Sequence, residues 1–269
     1  MRSSIKTVTL FFFFLIHKVC SISGNIPSVS VLMYHSILNG GWKYSVKEAD
    51  FEKQIEYLNS KYKIITVYDV INYIKGNLDI DTGSVVLTFD DGYEDIYTTV
   101  FPIIKKYNIP ITIFLTTNLE KSAKLGGLPR LNWNQCREMK ESCLVSFEVH
   151  GRGHLNLVTI SNNDDKLREE ILGSVDDIQK NLNYTPKVIA YASGYKNEKV
   201  IRFLNDNDFL AGFSINEGLT RMGDDIFAIK RIQVDGTIGF NLFKMRLTPA
   251  IDLNRRYVDS FRRLYAKKA

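Results

Sequence analysis

Val85-Val86-Leu87-Thr88-Phe89-Asp90-Asp91-Gly92-Tyr93 reads as an apolar strand ending in two adjacent carboxylates and a glycine turn. Further along, Leu144-Val145-Ser146-Phe147-Glu148-Val149 is a second strand-like run, and it ends in His150-Gly151-Arg152-Gly153-His154. One carboxylate and two imidazoles make a three-ligand site for a divalent cation, with coordination positions left for water and substrate. The other carboxylate is then free to act as a base toward the attacking water, which is the equipment of metal-assisted hydrolysis. An ordinary solvated Asp-Gly turn is the bland alternative; two imidazoles at a second strand end argue against it. The same donor set also matches the facial triad of iron oxygenases, but that leaves one carboxylate idle and no arginine is identifiable to bind a cosubstrate. The zincin spacing His-Glu-x-x-His is absent, because Gly151 stands where the glutamate would be.

Around these two runs, short apolar stretches alternate with helical periods. Strand candidates are 30–34, 63–66, 84–89, 111–115, 144–149, 187–191 and 210–214; helices are expected over 46–59, 67–75, 94–107, 133–141, 164–182 and 197–206. Ser45 with Glu48 has capping-box spacing at the first helix. Seven alternating units predict a parallel sheet, open or closed into a barrel. His35, Asp90, Asp91, His150, His154 and Ser193 all follow strands, so they fall at the C-terminal rim, where barrel active sites form.

The 269-residue chain is 45% hydrophobic, enough for a core of barrel size. Arg2 and Lys6 precede an apolar run over 8–16, and Ser21-Ile22-Ser23 has the small-x-small form of a cleavage site. Residues 1–24 are therefore expected to be a signal peptide, with an uncleaved anchor as the alternative. The expected destination is the periplasm, the cell surface or the medium, and 25–269 form one domain. Removing this stretch, which holds Arg2, Lys6 and Lys18 and no acid, lowers the net charge from +5 to +2. That balance gives no electrostatic footprint for nucleic acid. Of the cysteines, Cys136 and Cys143 would remain, about 10 Å apart at helical rise and beyond disulfide reach. Residues 254–268 place Tyr257, Phe261 and Tyr265 at helical spacing among Arg and Lys, a C-terminal helix expected to pack on the barrel, with a membrane-surface helix as the alternative.

Thr88-Phe89-Asp90-Asp91-Gly92-Tyr93 and His150-x-x-x-His154 resemble the first two motifs of the polysaccharide deacetylases, the carbohydrate esterases with a NodB-type domain, over about residues 29–232. Val31-Leu32-Met33-Tyr34-His35-Ser36-Ile37 is similar to the opening of a narrower branch, the extracellular deacetylases of poly-N-acetylglucosamine. The resemblance implies an α/β fold, the distorted (β/α)7 barrel, in a single domain. It implies Asp91, His150 and His154 as ligands of a divalent metal, with Zn2+ favoured over Co2+, Ni2+ or Fe2+, and Asp90 as general base. Most of the family takes its acid histidine from a late Leu-x-x-His motif, but no histidine follows His154 here. The narrower branch places it at an N-terminal Tyr-His, which His35 matches; a structural histidine is the alternative.

The family's third motif, roughly Ala-Tyr-Pro-Tyr-Gly, reads Ala190-Tyr191-Ala192-Ser193-Gly194 here. The Ser193 N–H remains as an oxyanion donor, without the proline and second aromatic. Arg231 resembles a family arginine near the site that would orient Asp90, with a surface arginine as the alternative, and Gly151 replaces a usual Ser or Thr. Trp42, Tyr44, Tyr93 and Trp133 fall in rim segments where rings stack on sugars, with core packing as the alternative. The implied activity is hydrolysis of N-acetyl groups from an acetylated N-acetylglucosamine polysaccharide by an exported monomer, with peripheral association with the cell envelope. The alternatives are a catalytically weak glycan-binding relative, and a deacetylase of peptidoglycan, chitin or a small amide.

Overall fold

The computed structural model describes residues 27–80, 83–118 and 127–257, together with Phe14. The strands, in chain order, are β1 (Val29–Tyr34), β2 (Ser36–Ile37), β3 (Ser45–Val46), β4 (Lys63–Ile64), β5 (Ser84–Asp91), β6 (Ile111–Leu115), β7 (Val145–Val149), β8 (Val188–Ala190), β9 (Ala211–Phe213) and β10 (Ile232–Gln233). The helices are α1 (Glu48–Lys61), α2 (Val67–Ile74), α3 (Phe101–Tyr107), α4 (Trp133–Glu141), α5 (Leu157–Ile160), α6 (Asp164–Leu182), α7 (Glu198–Asp206) and α8 (Phe240–Arg246). A further helix covers 250–257. The signal peptide expected over 1–24, Phe14 apart, and most of the C-terminal helix expected over 254–268 lie outside the described residues. Among the described residues no helix is long and apolar enough to cross a membrane.

Every residue of β5 is buried, as expected for a strand covered on both faces in a parallel sheet. β1 pairs along its length from Val29↔Ser84 to Tyr34↔Phe89, while β4 and β6 share the other edge, β4 at Ser84 and Val85 and β6 from Thr88 onward. The parallel sheet runs β10-β1-β5-β6-β7-β8-β9. Its ends are drawn together by a bridge from Phe213 to Ile229, just ahead of β10, so the sheet curls into an α/β half-barrel of the expected type.

Alternation along the strands sorts the core into two layers. Leu32, Leu87, Ile113, Phe147 and Ile189 pack in the layer that includes α1, α3, α6 and α7. Val31, Val86, Phe114, Val188 and Phe213 fill the interior together with Val67, Val70 and Ile74 of α2. A capping box between Thr66 and Asp69 starts α2, and its Tyr73 hydroxyl donates to Pro27 O just ahead of β1.

Two expectations need correction. The run 63–66 is not a full barrel strand: only Lys63–Ile64 pair, because the chain must turn into α2, which plugs the interior. The seventh strand of the path is instead β10, two residues held by Leu32↔Ile232 and Met33↔Gln233. Ser45 does not cap α1; Lys47 stands at the cap with no side-chain bond, and Ser45 lies in β3 with its hydroxyl on Ser36 Oγ. Cys136 is buried and Cys143 exposed, and both are free.

Candidate active site

Asp90 and Asp91 leave the end of β5 in different directions. Asp90 shares the interior parity of Val86 and Thr88, where it meets Arg231, a side chain with no exposed surface that follows directly on Lys230 ahead of β10. The guanidinium reaches Asp90 Oδ1 at 2.6 Å from Nη1 and Oδ2 at 2.8 Å from Nη2, while Nε donates to Ser214 O at 3.0 Å. Its plane lies over the Phe114 ring, 5.5 Å from the centroid. Burial by itself would push the Asp90 carboxyl up, but the paired guanidinium, with His150 and His35 nearby, outweighs it and holds the pKa at about 2. Asp90 is therefore ionised throughout the neutral range.

Asp91 takes φ 75 and Gly92 φ 81, so the chain turns sharply at the strand end. A Cβ on Gly92 would lie 2.3 Å from Leu115 Cδ1, which together with that φ accounts for the glycine. The turn sends the Asp91 carboxylate toward the end of β7. Oδ2 accepts from the Tyr93 hydroxyl at 3.1 Å, whereas Oδ1 is buried with no hydrogen-bond partner among the described residues. Oδ1 lies 3.5 Å from His150 Nε2 and 3.4 Å from His154 Nε2.

These donors fit a cation. One ligand atom from each of the three residues lies within 4.8 Å of the others. Ligands placed tetrahedrally at about 2.0–2.1 Å from a zinc ion stand about 3.4 Å apart, the separation that Asp91 shows to both imidazoles. A buried carboxylate oxygen without a donor is costly unless something positive meets it. His150 is already in ligand form: its Nδ1 donates to Ala190 O at 2.8 Å, which leaves the Nε2 lone pair facing Asp91. Burial also lowers the His150 pKa, against the pull of Asp90, and so favours the neutral ring.

His35 follows β1. Its ring stacks on Tyr44 at 5.1 Å and meets the edge of Trp42 at 6.5 Å, and its buried Nδ1 has no hydrogen-bond partner among the described residues. Burial lowers its pKa below the ordinary imidazole value; Asp90 and Asp91 pull the other way and do not prevail. Desolvation thus outweighs the two carboxylates at His35 in the free protein. Ser193, exposed and at φ 61, turns the chain three residues after the Ala190 carbonyl that anchors His150.

Of the expected rim aromatics, Tyr93 is fully buried, its hydroxyl on Asp91 and its face under the Arg130 guanidinium at 4.6 Å, so it offers no surface to a sugar. Trp133, partly buried, lines a cleft of about 570 Å³ with Arg130, Arg152 and Thr117.

Three residues of the site escape a sequence reading. Asp95 is buried, accepts from Ser36 Oγ at 2.7 Å and Ile37 N at 2.8 Å, and so fixes the segment following His35. Arg130 arrives from a loop with no pattern of its own, bridging backbone to backbone with Tyr93. Glu170 looks like any solvated acid of α6 yet is buried against the His150–His154 loop. The available signal was Gly173, a residue that a helix interior tolerates only at a cost unless something approaches closely.

The polysaccharide deacetylase family model matches residues 78–211. The chain is 31% identical over 220 residues to a poly-beta-1,6-N-acetyl-D-glucosamine N-deacetylase of Staphylococcus epidermidis, covering 78% of this chain and 75% of that protein. The Staphylococcus aureus (strain MRSA252) protein of the same name is 30% identical over 210 residues, 75% of this chain and 71% of that one. Among solved structures, the Streptococcus pyogenes deacetylase PplD in complex with acetate superposes with a TM-score of 0.73 at 25% identity, over 82% of this chain and 99% of that one. IcaB from Ammonifex degensii shares the fold, with a TM-score of 0.72 at 22% identity over 83% and 97% of the two chains.

Proposed function

The chain belongs to the polysaccharide deacetylase family, and on that premise we propose that it hydrolyses N-acetyl groups of a β-1,6-linked N-acetylglucosamine polysaccharide outside the cell. The observation that carries the reading is the convergence of Asp91 Oδ1, His150 Nε2 and His154 Nε2 beside a second, separately held carboxylate, Asp90. The polymer follows from the relatives' substrate, and export from the charged and apolar pattern of residues 1–24.

The family works with a divalent metal, for which Asp91, His150 and His154 are the candidate ligands; Zn2+ is the proposed ion. When bound, it supplies Lewis acidity toward water and toward the acetyl carbonyl. Asp90 takes the proton of the attacking water. Arg231 keeps that carboxylate ionised and aims it. The Ser193 N–H donates to the oxyanion as the carbonyl becomes tetrahedral. His35 gives a proton to the departing nitrogen, its lowered pKa making it a ready donor once charged. The products are acetate and a glucosamine residue.

The test is acetate release from β-1,6-linked N-acetylglucosamine oligomers, chitin oligomers and peptidoglycan fragments, each with and without a chelator. Chelator-sensitive release from the β-1,6 oligomers in excess of the other two is expected. Release from peptidoglycan or chitin alone would reassign the substrate, and release insensitive to chelation would remove the metal.

A further inference from the structure

Glu170 has no part in the chemistry above, yet it is 3% exposed and turned toward the loop that carries the two histidines. Its Oε2 accepts the Gly153 N–H and its Oε1 the Leu155 N–H, each at 2.9 Å. Those are the amides on either side of His154. Its backbone carbonyl accepts the Arg152 N–H at 2.9 Å, so three amides of the loop end on one residue. His154, between the clamped amides, holds φ 58, a left-handed conformation that a side-chain-bearing residue keeps only when its surroundings impose it.

The glycines of the loop fit the same clamp. A Cβ on Gly151, at φ 91, would lie 2.3 Å from Glu170 Oε1, and one on Gly153 would lie 3.3 Å from Oε2. Further along α6, Gly173 leaves room for the Arg152 stem, whose Cδ would be 3.1 Å from an added Cβ, and Arg152 Nε reaches Asp177 Oδ2 at 3.1 Å. Glu170, Gly173 and Asp177 thus form one helix face shaped to the loop. At position 151 a side chain would collide with a carboxylate that already fills that volume.

We propose that Glu170 is the positioning residue of the His154 ligand: its carboxylate, gripping the two amides that flank His154, fixes that imidazole against Asp91 and His150. The assignment rests on the reading of these three residues as metal ligands. Charge-assisted bonds to buried amides are strong and directional, and partners behind a ligand typically govern metal affinity.

The test is the Zn2+ affinity of the metal-free full chain, measured by competition with a chromophoric chelator, with the melting temperature followed in parallel. Glu170→Gln keeps the volume but turns one acceptor into a donor facing an N–H, and should weaken binding about tenfold; Glu170→Ala removes both acceptors and should weaken it about a hundredfold. Gly151→Ala should also weaken binding. Combined with Glu170→Ala it should lose less than the product of the two effects, because the collision has gone. A Glu170 with only a structural role would lower the melting temperature and leave affinity untouched. Unchanged affinity in both Glu170 variants of a Zn2+-binding wild type would overturn this assignment alone. A wild type without Zn2+ affinity would overturn the metal reading along with it.

Discussion

Asp90 and Asp91 are chemically identical neighbours that the fold drives apart. Asp90 is neutralised in place by a bidentate Arg231; Asp91 is left with one oxygen that nothing among the described residues satisfies. Asp90→Asn should therefore keep Zn2+ affinity while turnover falls by about two to four orders of magnitude, the usual contribution of a positioned base. Isothermal titration beside a steady-state assay separates the two. Arg231→Met removes one member of a buried ion pair and should cost about 3–5 kcal/mol of stability in urea unfolding. The sign in pH follows from the depressed Asp90 pKa: the pair's contribution is present above the ordinary carboxylate range and is lost as pH falls toward about 2. His35→Ala should slow amide hydrolysis far more than hydrolysis of an activated acetyl ester, whose leaving group needs little protonation. Equal losses on both substrates would return His35 to a structural part within its stack on Tyr44.

At the scale of elements, the end of β5 depends on Gly92. Gly92→Ala combines a strained φ of 81 with a 2.3 Å approach to Leu115. It should cost more than the 1 kcal/mol or so typical of unfavourable glycine replacement, and weaken Zn2+ binding by displacing Asp91; calorimetry on metal-free and metal-loaded protein would read both. β5 was legible because an unbroken apolar run has few other fates than a buried parallel strand. The same holds for β6, and for β7, whose run ends where the two histidines begin. β10 was not legible: two residues carry no periodicity, and their place is set by pairing with β1. Nor was the shortness of β4, since the apolar residues after it serve α2 and the interior plug. The proposed ligands, the proposed base and Arg231 came from the motifs. Asp95, Arg130 and Glu170 did not, because a buried acid or base is indistinguishable in sequence from a solvated one until its partners are placed.

Across the whole molecule, polar groups are buried inside an apolar half-barrel: Asp90 of β5 with Arg231, and Glu148 of β7. Glu148 is fully buried and accepts from the Tyr68 and Tyr184 hydroxyls and from the Lys187 and Val188 amides. Burial pushes its pKa up to about 7, only partly offset by those bonds. A carboxyl with a raised folded pKa binds more protons in the native state, so its contribution to stability falls as pH rises from the ordinary carboxylate range to about 7. Glu148→Gln should remove that slope: the wild type should lose melting temperature relative to the variant between pH 5 and pH 8. A constant difference across that range would show that Glu148 is ionised throughout.

The claim on which the rest depends is that Asp91, His150 and His154 hold one ion that the reaction needs. The most direct measurement is acetate release from β-1,6-linked N-acetylglucosamine oligomers as metal-free protein is titrated with Zn2+. Activity should rise from background and reach its plateau at one equivalent, with no such rise in Asp91→Ala, His150→Ala or His154→Ala. Full turnover before any metal is added, or an undiminished titration in those variants, would contradict it.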